Sequence, residues 1–366
     1  MSCGARIIDY LDTRIGLRTM VRENLTGYLL PRRINGWYAL GSVLLVLFAI
    51  QAITGALLLV HYIPFTEQAF DSVQRIMNQV PFGWLVRDLH AVGANIIIVF
   101  LLLHLLSVLF MAAYKRPREM TWMAGFLLFL LAQGMCLTGY LLPWSQLSYW
   151  ATTVATQSAG AMPLIGEPLI RLLGGEAGVG QHTLGLFFAL HVMGLPLALA
   201  ALLLLHLFLV RRIGVSEPPF GPDFQPRPPA DSFRHASYPD GIPFFPDYFT
   251  KDLAVVCLAL TLLMGCVFFI PWIFLPATAF IPADPFSTPV GIKPEWYFLA
   301  SYQLLKLLPS EMAGLLTQVL AVLFLLLLPC IDRGLERRPA RRPVFLAMFV
   351  LGILAVIGLT IWGHFS

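Results

Sequence analysis

The sequence predicts an all-α integral membrane protein. Two observations carry that expectation. Of the 366 residues, 58% are hydrophobic and only 12% charged, with a mean hydropathy of +0.77. The apolar residues also fall in long blocks separated by charged loops. Such a chain has too few polar side chains to cover a water-soluble core. A β-barrel would alternate in short segments instead, and a disordered or disulfide-stapled chain is excluded. The net charge of +4 is small, and no nucleic-acid partner is expected. The five cysteines, Cys3, Cys136, Cys257, Cys266 and Cys330, form no CxxC pair, so buried thiols are expected and not a zinc site.

The first 24 residues interleave Ile7, Ile8, Leu11, Ile15 and Leu17 with Arg14, Arg18 and Arg22, the pattern of an interfacial helix. They hold no apolar core followed by a cleavage site, so no removed signal peptide is expected. Seven blocks are long enough to span a hydrocarbon core of about 30 Å, which takes about 20 helical residues. They lie near 37–61, 86–113, 121–142, 183–210, 252–274, 313–331 and 344–364. Between the fourth and fifth, residues 215–250 are rich in proline and polar residues, which marks a linker. The expected organisation is 1–214 as a four-helix domain, 215–250 as linker and 251–366 as a three-helix domain. Nineteen of the 24 Lys and Arg residues fall on the side that carries the N-terminus. By the positive-inside tendency that side is cytoplasmic, and an odd span count puts the C-terminus opposite.

Four of the eight histidines sit inside spans: His90 and His104 on the second, His191 and His206 on the fourth. A histidine there is costly unless paired or ligated. The intervals are 14 and 15 residues, about 21–23 Å along a helix and each roughly on one face. Both spans run the same way, so facing helices offer two stacked sites with one imidazole from each helix. Opposed imidazoles are axial ligands for a six-coordinate haem iron, which suits electron transfer. The first and third spans carry glycines at the same interval, Gly41 and Gly55, Gly125 and Gly139. Running antiparallel to the others, they put Gly41 and Gly125 at the His104/His206 level and Gly55 and Gly139 at the His90/His191 level. Small residues there allow close approach of a ring edge or backbone. The architecture is a four-helix di-haem bundle with three further transmembrane helices.

With those residues in hand, the chain resembles the cytochrome b subunit of quinol-oxidising bc and bf complexes. The likeness rests on the histidine and glycine pairs, on GYLLPWSQLSYW (139–150) and on KPEWYFLASYQLLK (293–306), whose Pro294-Glu295-Trp296-Tyr297 is a family hallmark. The 15-residue interval, the seven spans, PREMTW (117–122) and PLIGEPLIRLL (163–173) look like the chloroplast-type branch, its two separate subunits here joined through 215–250.

The resemblance implies two non-covalent haem b groups and a quinol/quinone substrate. It implies quinol oxidation on the positive side, quinone reduction on the negative side and proton translocation between them. The partners implied are a Rieske iron–sulfur protein, a cytochrome c-type subunit and lipid, in a homodimeric multi-subunit complex of the bacterial inner membrane. Glu295 is then the proton acceptor of the oxidation pocket, lined by Tyr140 and Tyr297, and Arg87 pairs with an outer haem propionate. Asp252 and Arg211 match the quinone-reduction site. Three positions depart from the family. Ala39 stands where the chloroplast-type branch has a haem-attaching cysteine. Ser107 replaces a common arginine, leaving Lys115 or Arg118 as partners for the inner propionates. Ser145 follows Pro143-Trp144. Two rivals remain: a di-haem anchor of a dehydrogenase, which leaves PEWY and three helices unexplained, and a transporter using histidines as proton relays, which predicts a colourless protein.

Overall fold

The computed structural model describes residues 3–162, 166–174, 178–220, 224, 238 and 241–366. The chain begins with α1 (Cys3–Ile15) and α2 (Leu17–Val21), hinged at Gly16 in the left-handed region at φ 62°. Arg18 closes the hinge by pairing with Asp9 and Asp12. The expected interfacial helix is therefore two pieces.

The first span is α3 (Leu40–Leu59), entered through a 3-10 turn whose first free amide, on Trp37, is capped by the Asn35 side chain. An amphipathic α4 (Ala69–Gln79) follows. Then come α5 (Gly83–Phe110) and α6 (Glu119–Leu141) as the second and third spans. Next are α7 (Gln146–Gly160), started by a Ser145 capping box, and the short α8 (Gly166–Gly174). The fourth span is α9 (Gln181–Ala189), a π-helical turn (Leu190–Gly194) and α10 (Leu195–Ile213). Pro196 sits at the start of α10, where it donates no amide hydrogen, and the looser π turn precedes it.

The second half holds α11 (Phe249–Phe269), α12 (Trp296–Leu307), α13 (Glu311–Leu326), α14 (Leu328–Ile331) and α15 (Pro343–Phe365). Among the described residues six helices are long and apolar enough to cross a membrane, where the sequence suggested seven blocks. The block at 313–331 is α13, with 16 residues, interrupted at Leu327 just before Pro329. The block at 252–274 ends early, at Phe269, because Ile270 precedes Pro271 and is pushed out of the helical region. Of the expected linker, 221–223, 225–237 and 239–240 lie outside the described residues. Its far end, Ile242–Pro243, pairs antiparallel with Leu29–Leu30.

Packing follows the lack of water. In lipid each span satisfies its own backbone, and helices then associate through close side-chain contact. Leu40, Val43 and Leu47 of α3 meet Val92, Ile96 and Phe100 of α5 and Val256, Ala259, Leu263 and Val267 of α11 in one buried cluster. Across the bundle α6 packs on α10, and α12 packs on α15. Large apolar side chains such as Leu204, Phe208, Leu258, Phe269 and Leu351 face outward, a surface suited to lipid. Of the described cysteines Cys266 is buried, whereas Cys257 and Cys330 are exposed on that surface, against the expectation of buried thiols.

Candidate functional site

The four intramembrane histidines come together in two pairs. The rings of His90 on α5 and His191 in the π turn have centroids 6.2 Å apart and planes 80° apart. Two imidazoles on opposite sides of one ion, each bound at about 2.0–2.1 Å, would have centroids about 6 Å apart. Among the described residues no cluster of three or more His, Cys, Asp or Glu could hold a metal. The protein offers two imidazole nitrogens at this level, so an ion held here would draw its other ligands from a bound group.

Hydrogen bonds on the far nitrogens fix which atom faces inward. His191 Nδ1 lies 3.0 Å from the Met135 carbonyl and 3.2 Å from Thr138 Oγ1. A carbonyl only accepts, so Nδ1 carries the hydrogen and Nε2 keeps its lone pair. His90 Nδ1 lies 2.9 Å from Thr54 Oγ1, whose own hydrogen goes to the Ile50 carbonyl at 2.7 Å. In both imidazoles the outer partners put the hydrogen on Nδ1 and leave the Nε2 lone pair free, the tautomer that can bind a metal. Thr54 and Thr138 escaped sequence reasoning, although each immediately precedes a glycine of the repeated pair, Thr54-Gly55 and Thr138-Gly139.

Each of the four glycines faces one imidazole. A Cβ on Gly55 would sit 3.1 Å from His90 Cε1, one on Gly125 2.8 Å from His206 Cε1, and one on Gly41 4.0 Å from His104 Cε1; on Gly139 it would overlap the His191 ring. A helical Cβ leans over the preceding turn. Its absence at Gly139 therefore uncovers the carbonyl four residues earlier, Met135, for His191. The glycines seat the imidazoles as well as clearing space.

The 15-residue interval on the fourth span also has an account. The π turn at 190–194 absorbs one extra residue, so His191 and His206 keep the angular relation of 14 ordinary helical steps, as on α5. His104 and His206 line a cavity of about 780 Å³ together with Gly41, Ser42, Ser107, Arg118, Gly125, Arg211 and Tyr248. Arg211 stacks on the Tyr28 ring, 3.6 Å from its centroid. Asp252 is buried and sits behind Ser42, not on the wall itself. Lys115, an expected partner for the inner propionates, is committed elsewhere: it pairs with Asp332 at 2.9 Å and donates to the Gly334 and Glu336 carbonyls. Its place against the segment between α14 and α15 removes it from the cavity wall, which Arg118 does line. Ser107 spends its hydroxyl on the His104 carbonyl.

Toward the other face, Arg87 is buried one turn before His90, ion-paired with Asp88 at 3.1 Å and lying over the Phe280 ring. Glu295 immediately precedes α12. Burial pushes its carboxyl up to about 7, against the opposing pull of the Tyr140 hydroxyl. Tyr297 lies beside Cys136 of α6. Trp296 Nε1 donates to Asn95 Oδ1 on α5 at 2.8 Å, which ties this segment to the helix bearing His90 and His104.

The family description "Cytochrome b/b6/petB" matches residues 25–214, and "Cytochrome b(C-terminal)/b6/petD" matches 282–366. Cytochrome b of Rickettsia prowazekii (strain Madrid E) is 36% identical over 343 residues, 94% of this chain and 83% of that one. The chain belongs to the cytochrome b family. Cytochrome b of Allochromatium vinosum is 34% identical over 365 residues, covering 97% and 88% of the two chains. A solved structure, "Hyperthermophilic respiratory Complex III", superposes with a TM-score of 0.88 at 37% identity, over 97% of this chain and 91% of that one. As a member the chain is an integral membrane, haem b-binding oxidoreductase subunit, the cytochrome b of a quinol-oxidising, complex III-type multi-subunit assembly.

Proposed function

We propose that the chain holds two non-covalent haem b groups, one between His90 and His191 and one between His104 and His206. In this reading quinol is oxidised at Glu295, Tyr297 and Tyr140, and quinone is reduced in the inner cavity near Arg211 and Asp252. The observation that carries the reading is the opposed His90 and His191 rings, 6.2 Å apart, with both Nδ1 atoms tied off. When bound, the haems supply a one-electron route between the two faces of the membrane.

The chain's own residues do the rest. The histidines present Nε2, and Gly41, Gly55, Gly125 and Gly139 let them seat. Arg87 supplies the positive charge for an outer propionate, with Asp88 balancing it. Arg118 takes that part at the inner level, where Ser107 cannot. Glu295, with a pKa near neutrality, accepts a proton from a quinol hydroxyl, and the tyrosines shape the pocket. Protons leave on the positive side and are taken up on the negative side. One electron goes to a Rieske iron–sulfur protein and on to a cytochrome c-type subunit. The assembly is a homodimer in a bacterial cytoplasmic membrane with the N-terminus inside, as the charge asymmetry supports. The histidine interval and segments 117–122 and 163–173 align the chain with the chloroplast-type branch.

The test is Glu295→Gln in the assembled complex. Its kcat for quinol-dependent cytochrome c reduction falls on the order of a hundredfold, with both haem bands retained. The acceptor must be unprotonated, so the wild-type rate climbs with pH through about 7, and the variant loses that climb. An unchanged kcat and pH profile contradicts the assignment.

A further inference from the structure

The segment that leaves α10 has four successive carbonyls, and each is held by a side chain from a different part of the molecule. Arg118 Nε donates to Gly214 O at 3.1 Å, and the Tyr238 hydroxyl to Val215 O at 2.7 Å. The Tyr38 hydroxyl donates to Ser216 O at 3.0 Å, and Arg337 Nη2 to Glu217 O at 2.9 Å. Gly214, Val215 and Ser216 line the cavity that contains His104 and His206. No sheet or helix satisfies these carbonyls, so the strap's course depends on the four donors.

Arg337 differs from the other three because it lies beyond the linker, between α14 and α15. It also reaches the end of α5: Nη2 donates to Met111 O at 3.2 Å and Nε to Ala112 O at 3.3 Å. One planar fork thus joins the α5–α6 turn to the strap, a geometry lysine does not reproduce. Phe224 packs against Arg337 and Arg338 and is itself buried.

We propose that Arg337 is a positioning residue for the inner cavity: it latches the strap 214–217 in the course that forms part of the cavity wall, so that the C-terminal part of the chain sets the shape of the quinone site. The consequence for quinone rests on the proposed reading of that cavity; the latch itself does not. In the purified complex, Arg337→Gln should speed amide hydrogen exchange across 214–220 while both haem b bands remain. With the oxidation pocket blocked by an inhibitor, haem reduction by added quinol through the inner route should slow about tenfold, the size expected for losing a charged hydrogen bond, chiefly through a raised half-saturating quinol concentration. Arg337→Lys should behave like the glutamine variant.

Arg338→Gln is the control, since Arg338 grips Glu336 of its own loop and should change neither readout. Tyr38→Phe, which removes one hold only, should give a smaller change in the same direction and covers failure of the arginine variants to assemble. Unchanged exchange in both Arg337→Gln and Tyr38→Phe overturns the latch. If wild-type haem shows no inner-route reduction, the quinone reading fails and exchange alone decides the latch. Faster exchange with an unaltered inner-route rate overturns the positioning role.

Discussion

At the scale of single residues the four glycines form a graded series. The space left for a Cβ shrinks from Gly41 through Gly55 and Gly125 to Gly139. Alanine substitutions should therefore lower haem content least at Gly41 and most at Gly139, read from pyridine haemochrome content per complex. Equal losses at all four would contradict the seating role. Thr54→Val and Thr138→Val remove the hydroxyls that meet the outer Nδ1 atoms. Each should weaken retention of the outer haem about 10–100-fold and shift its midpoint potential, leaving the inner haem unchanged. The histidines and glycines were legible in the sequence because an intramembrane imidazole needs a partner and because the intervals repeat. Thr54, Thr138 and Asn95 were not, since a hydroxyl or amide in a span announces nothing until its neighbour is known. Lys115 shows the reverse: its charge suggested a propionate partner, and only the folded chain reveals Asp332, Tyr114 and Arg342 gathered around it.

At the scale of elements the π turn at 190–194 is the clearest case. Sequence spacing alone leaves His191 and His206 about 60° past whole turns, still roughly on one face. Absorbed in the wider turn, the extra residue restores the phase. Deleting Met193, which is 62% exposed, should convert the turn to ordinary helix and keep both haem b bands. Inserting one residue at position 200 should rotate His206 by about 100° and remove the inner band. Loss of haem from the deletion would show that the π turn does not do this. Spans were legible from their apolar length, but their ends were not: Pro271 and Pro329 stop or break helices where hydropathy runs on. The amphipathic α4 and the short α7 and α12 lay hidden because short helices carry no comparable signal.

At the scale of the whole molecule the two halves meet in polar contacts around Asp332 and in apolar packing of α11 on α3 and α5. Asp332 draws together Lys115, Arg342 and Tyr114, and the two cations are buried. Removing Asp332, itself partly exposed, leaves two buried cations without their counter-ion, a loss of about 1–3 kcal/mol. Asp332→Asn should lower the thermal unfolding midpoint of the complex by several degrees, measured in detergent, without altering either haem band. An unchanged midpoint would contradict the bridging role. The proline-rich stretch between spans suggests a boundary there; which contacts join the chain on either side of it depends on loops whose course no periodicity records. The central claim is a stack of two axially bis-histidine haem sites, and potentiometric titration of the haem b absorbance in wild type and His104→Ala tests it most directly. The account predicts two components in the wild type and one in the variant, with the surviving component at the wild-type potential of the His90/His191 site. Two components persisting in His104→Ala would contradict it.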